Sequence, residues 1–95
     1  MTVLAFERYP VDPDSEDRFR DAVDAHLALL RSGGALWADA ARAFDDPPSY
    51  IVVSEWRTAA DLDAWEQGGR AREFRDGCDA LLRGEVTRRR FSAGT

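Results

Sequence analysis

Residues 45–65 read DDPPSYIVVSEWRTAADLDAW, and three local signals follow one another within them. The opening DDPPS is built from turn formers and reads as the connection of a hairpin. SYIVVSEW, 49–56, is dense in β-branched and aromatic residues and is the clearest strand of the chain. Thr58 then stands at a helix N-cap, with Asp61 three residues on as a short version of the capping-box partner. Leu62 and Trp65 follow at the spacing of an inward helix face.

Upstream of the hairpin, ALWADAARAF (35–44) is rich in alanine, which favours helix, but it lies between Gly33-Gly34 and the turn. That position predicts the hairpin's first strand. Residues 13–34 predict a helix capped by Asp14 or Ser15, with Glu16 and Asp17 at its positive end. Its buried stripe is Phe19, Ala22, Val23, Leu27 and Leu30, and the glycine pair stops it. TVLAFERY (2–9) predicts the first strand, stopped by Pro10 and Pro13. Downstream, the helix begun at Thr58 continues past Gly68-Gly69 through Ala71, Phe74, Cys78, Leu81 and Leu82 to Gly84. EVTRRRF (85–91) predicts the last strand, with Val86, Arg88 and Arg90 on one face and Thr87, Arg89 and Phe91 on the other.

The order is β-α-β-β-α-β, an α+β ferredoxin-like pattern: a four-stranded antiparallel sheet with helices on one face. A single domain spans 1–95. Leu4, Phe6, Ile51 and Val53 make the first and third strands apolar on both faces, so the uncovered face predicts a homodimer packed sheet to sheet. At 95 residues a lone domain buries only about 60–65% of its unfolded surface, which also favours association.

Composition narrows the function. The net charge is −5, against the basic footprint that nucleic acid requires. All 13 basic residues are Arg. The one cysteine, Cys78, excludes an internal disulfide and a paired-thiol metal site. No stretch approaches the roughly 20 apolar residues of a membrane span, and MTVLAFERYPV has neither the basic start nor the apolar length of a signal peptide. The expectation is a soluble cytoplasmic protein. The sequence has no metal-ligand cluster, no phosphate-cradling glycine loop and no recognisable Ser/His/Asp set.

With its DDPPSYIVVSEWRTAADLDAW segment and the continuation RAREF, the chain resembles the antibiotic biosynthesis monooxygenase family of the dimeric α+β barrel superfamily. The resemblance implies a pocket between sheet and helices in each protomer, walled by Trp56 and Trp65, with Gly68-Gly69 loosening the helix beside it. It implies two sets of functional residues. In the quinone-forming, cofactor-independent branch, the Trp falls on Trp56 and the Arg on Arg75 with one residue of slack. The Asn of that branch falls on Val52, which has no hydrogen-bonding side chain. In the haem-degrading branch the Trp falls on Trp65 and the Asn on Glu7, while the iron-ligating His falls on Arg75. Arginine offers no lone pair to iron, which argues against haem degradation.

The candidate residues each have a chemical reason. Arg75 could stabilise a phenolate or enolate as charge develops, or pair on the surface with Glu73, Asp76 or Asp79. His26 flanks the buried stripe of the first helix and is the only side chain that would titrate near neutrality without large perturbation, so it could serve as a general base. It could equally be a half-buried, hydrogen-bonded histidine. Glu7 and Asp39 are the alternative bases, or partners for an Arg. Trp56, Trp65 and Trp37 could stack on an aromatic ring or fill the core. Tyr9 could donate a hydrogen bond to a ligand or merely end a strand. The function expected is a monooxygenase without metal or other cofactor that combines molecular oxygen with an aromatic or polyketide-derived biosynthetic intermediate. A polyketide cyclase or isomerase of the same fold, and a non-catalytic binding or assembly subunit, are the alternatives.

Overall fold

A computed structural model describes residues 1–94. Strand β1 (Thr2–Pro10) is followed by a 3-10 turn (Pro13–Ser15) and helix α1 (Glu16–Ser32). Strands β2 (Trp37–Arg42) and β3 (Ser49–Trp56) form the hairpin, then come helices α2 (Ala59–Glu66) and α3 (Gly69–Cys78), a second 3-10 turn (Asp79–Leu81) and strand β4 (Thr87–Ala93). The sheet order is β2-β3-β1-β4, antiparallel at every pairing. This is the expected ferredoxin-like arrangement.

Strand periodicity divides the sheet into two unlike faces. On β3, Tyr50, Val52, Ser54 and Trp56 turn to the helices and are buried, while Ile51, Val53 and Glu55 turn away and are half-buried. On β1, Ala5 and Tyr9 face the helices, and the register sets Glu7 between Val52 on one side and Arg88 on the other. α1 covers this face with Phe19, Val23, His26, Leu27 and Leu30, a stripe at helical spacing. It closes at Gly33, whose N–H donates to the carbonyls of Leu29 (2.8 Å) and Leu30 (3.2 Å). The second face carries Leu4, Phe6, Ile51 and Val53, with Trp37 at 43% and Phe91 at 42% exposure. Among the described residues no layer covers it.

Of the boundaries that differ from the sequence reading, two bear on the site. Thr58 caps α2 as expected, its Oγ1 accepting from the Asp61 N–H at 3.1 Å. The helix does not run on to Gly84, however. It stops at Glu66, and Gly68 adopts an extended conformation (φ −77°, ψ 162°) as the N-cap of a separate α3. A side chain at Gly68 would press on the Trp65 carbonyl, its Cβ 3.2 Å from that oxygen. The glycine pair is therefore a break between two helices and not a loosened turn of one. β4 starts two residues later than expected, because residues 82–86 are spent returning from α3. At its start Leu82 forms a bridge with Val11, and the Arg83 N–H donates to the Pro10 carbonyl (3.0 Å).

Candidate functional site

β1 and α1 bring the first polar groups together. Glu7 and Tyr9, two residues apart, share the helix-facing side of β1. Across from them α1 presents His26, which is only 4% exposed. The break after Glu66 lets α2 end with Trp65 over one side of the imidazole, and α3 begin again in time to lay Phe74 on it. The His26 and Phe74 rings stack at 3.7 Å with 5° between their planes, and the Trp65 ring centre is 6.0 Å away. These groups enclose a cavity of about 20 Å³, also lined by Ser54, Glu66 and Arg75. That is room for about one water molecule.

The electrostatics of the cavity centre on His26. Burial lowers its pKa from 6.5 to about 4, so the imidazole is neutral at physiological pH. Its Nδ1 has no hydrogen-bond partner among the described residues. A buried polar atom without a partner is uncommon and calls for a ligand, a water or a chemical role. Arg75 donates a single hydrogen bond, to the Glu66 carbonyl at 3.2 Å, which leaves other N–H groups of its fork uncommitted to protein acceptors among the described residues. Glu7 accepts from Arg88 across the β1–β4 pair at 2.8 Å. Burial, with the Glu7 carboxylate adding to it, pushes the Tyr9 hydroxyl pKa up, so the phenol remains a protonated donor. Cys78 is pushed up to about 11, by burial first, and stays an unreactive thiol.

Two open grooves adjoin the cavity, each of about 520 Å³. One lies at the α2–α3 break, between Gly33, Gly34, Ala64, Trp65, Gly68 and Gly69, with Asp61 and Arg70 at its sides. The other runs between α3 and β4, along Tyr9, Arg75, Cys78, Val86 and Arg88, and carries the carboxylates of Asp76, Asp79 and Glu85. Trp65 is common to the first groove and the cavity, Tyr9 and Arg75 to the second and the cavity.

The structure thus gathers five of the residues singled out in the sequence: Glu7, Tyr9, His26, Trp65 and Arg75. The other three lie elsewhere. Trp56 is fully buried beneath the site, its Nε1–H donating to Ser54 Oγ at 2.9 Å and its ring 6.1 Å from that of Trp65. It supports the wall without lining the cavity. Trp37 and Asp39 point to the opposite face of the sheet. There the Trp37 indole donates to Glu55 at 2.6 Å, and Asp39 accepts from the Ala40 N–H at 2.8 Å. Both border a shallow depression of about 200 Å³ with Ile51 and Val53. The cause is strand phase: Ala38 and Ala40 of β2 are the residues turned inward.

Ser54, Glu66, Phe74 and Arg88 are members of the site that sequence reasoning did not single out. Ser54 was within reach, since it shares the phase of Val52 and Trp56 on an evident strand. Arg88 had been placed on the right face of β4, and only the register with Glu7 was missing. Among the described residues no group of three or more His, Cys, Asp or Glu side chains is placed to hold a metal ion, and no helix is long and apolar enough to cross a membrane.

Fold and site together define a small α+β domain that keeps a polar-lined, mostly closed space between an antiparallel sheet and its helices. The family model described as antibiotic biosynthesis monooxygenase matches residues 2–77, and the chain belongs to that family. Among solved structures it is similar to Rv0793 from Mycobacterium tuberculosis, with a TM-score of 0.88 at 19% identity, covering 100% of this chain and 97% of that one. A conserved protein from Methanosarcina mazei Go1 gives 0.88 at 13% identity, over 96% of this chain and 91% of its own. A structure named as an antibiotic biosynthesis monooxygenase gives 0.88 at 17% identity, over 98% and 99% of the two chains. At these identities the likeness is one of fold. No curated protein matches the chain.

Proposed function

We propose that this chain is a monooxygenase that needs no resident cofactor and acts on an electron-rich aromatic or polyketide-derived substrate, with His26 as the base. The observation that carries the reading is the buried, neutral imidazole whose Nδ1 is unpartnered, in the same cavity as a largely uncommitted guanidinium. A base of this kind accepts a proton from an acidic ring C–H or phenol. Arg75 holds the anion that results, and the Tyr9 hydroxyl is a further donor to it. For a ring methylene the balance is complete with oxygen alone. The carbanion bonds to one oxygen atom, the second C–H proton leaves as the O–O bond breaks, a carbonyl forms, and the other oxygen departs as water. Closed walls of Trp65, Phe74 and Leu62 keep bulk water from the anion.

The apolar second face of the sheet supports a sheet-to-sheet homodimer. Its Leu4, Phe6, Ile51, Val53, Trp37 and Phe91 form a surface of the kind that a second copy covers.

A second reading retains base and Arg but uses no oxygen: a cyclase or isomerase. It is favoured by Val52, which is 1% exposed, faces the helices, and brings no hydrogen-bonding side chain. Oxygen consumption separates the two. With an anthrone and no added metal or flavin, the purified protein is expected to consume oxygen in step with quinone formation. Turnover that proceeds equally under nitrogen would establish the second reading, and tight binding without turnover would mean a binding subunit.

A further inference from the structure

A cavity with room for one water does not admit an aromatic ring, so a wall must move for a ring to reach His26. Three side chains are placed to be that wall. Phe74 is stacked flat on the imidazole at 3.7 Å, and moving it would expose the core. Arg75 opens toward the groove of Asp76, Asp79 and Glu85, a charged passage suited to water and ions more than to a flat apolar ring. Trp65 separates the cavity from the groove of glycines and Ala64, and it is held by packing. Its indole N–H makes no hydrogen bond among the described residues, and the helix that bears it ends one residue later, at Glu66.

Gly33 adds an independent observation. Its φ of −88° is open to any residue, so its backbone does not require glycine. The Trp65 ring does: a Cβ at Gly33 would lie 2.4 Å from Cζ3 and 2.6 Å from Cε3 of the indole. The end of α1 is thus shaped to seat the indole in its closed position.

We propose that Trp65 determines which aromatic substrates reach His26. In place on Gly33 it shuts the cavity; swung over the glycine-lined groove it joins the two spaces. The joined volume, near the lower half of the range usual for small-molecule pockets of roughly 300–1,000 Å³, suits a fused system of two or three rings. A flat ring system would then lie stacked on the displaced indole. The proposal rests on the oxygenase reading for the role of His26, but its test needs no turnover.

The test is binding of 2-naphthol followed by NMR at the imidazole Hε1 of His26, the only histidine and hence a single resolved signal. Gly33→Ala makes the closed position clash with the indole, while its 3.0 Å approach to the Leu29 carbonyl is the same in the closed and open positions. Apparent affinity scales with the population of the competent state, so 2-naphthol is expected to bind this variant at least about tenfold more tightly, with the His26 signal shifted. Trp65→Ala, which removes the wall, is expected to show the same. A gain in Trp65→Ala alone would mean only a refilled hole and would overturn the proposal, as would binding that leaves the His26 signal unmoved in all variants. Where either variant fails to fold, Trp65→Phe decides, again by tighter binding or its absence. If 2-naphthol binds as expected but no anthrone is oxidised, the role of Trp65 stands and the oxygenase reading falls.

Discussion

Mild acid is expected to destabilise this protein through one residue. His26 has a pKa of about 4 in the fold against 6.5 ordinarily, because burial penalises the charged ring. The unfolded chain takes up a proton as pH falls through 6.5, and the folded chain does not until pH is near 4. Stability from this group is therefore complete above 6.5, declines between 6.5 and 4, and levels off below. Between about pH 7.5 and pH 4.5 the loss comes to about 2.5 kcal/mol, at 1.36 kcal/mol per pKa unit. That is a large part of the roughly 5–15 kcal/mol that holds a small domain together. Other shifted groups fall outside this window: Glu16 is held down near 2, and Cys78 is pushed up to about 11. Urea unfolding of the wild type and His26→Leu at both pH values isolates the effect, since leucine does not titrate. The wild type is expected to lose about 2.5 kcal/mol more than the variant. Parallel losses, or an imidazole NMR titration centred near 6.5, would refute a buried neutral His26.

Three further outcomes are expected. Arg75→Ala should lower turnover of an anthrone by about a hundredfold or more if the guanidinium holds the developing anion, and steady-state kinetics reads this directly. Trp56→Ala should destabilise the fold by about 3–5 kcal/mol in denaturant titration, since the residue is fully buried and supports Trp65 from below. Glu16 is kept well below the usual carboxylate range by hydrogen bonds from Arg42 and Tyr50, so its stabilising effect is present above pH 4.5 and lost as pH falls toward 2. Acid-unfolding curves of the wild type and Glu16→Gln should accordingly differ at neutral pH and converge toward pH 2.

The architecture was legible where local pattern and tertiary role agree. The β-branched and aromatic run of SYIVVSEW, the Thr58 cap and the stripe of α1 were each legible because each signal is short-range. The break at Gly68 did not, since a glycine pair inside an apolar stripe is compatible with either a bend or a stop. What decides is the contact of Gly68 with the Trp65 carbonyl, a detail of packing. The phase of β2 was equally hidden: a strand of alternating alanines has no apolar side to read, and Trp37 and Asp39 turned out to face away from the helices. For the site, the position of His26 beside an apolar stripe was visible in the sequence. Its isolation was not, because an unpartnered Nδ1 depends on Phe74 and Trp65 packing on the imidazole from distant positions in the chain without hydrogen-bonding to it.

Oxygen consumption by His26→Gln, compared with the wild type at a pH where both are folded, tests the central assignment most directly. With a saturating anthrone and neither metal nor flavin added, the wild type should take up oxygen and the variant should be slower by roughly two to four orders of magnitude, the range of general-base catalysis. A variant that keeps the wild-type rate would show that the buried imidazole is not the base.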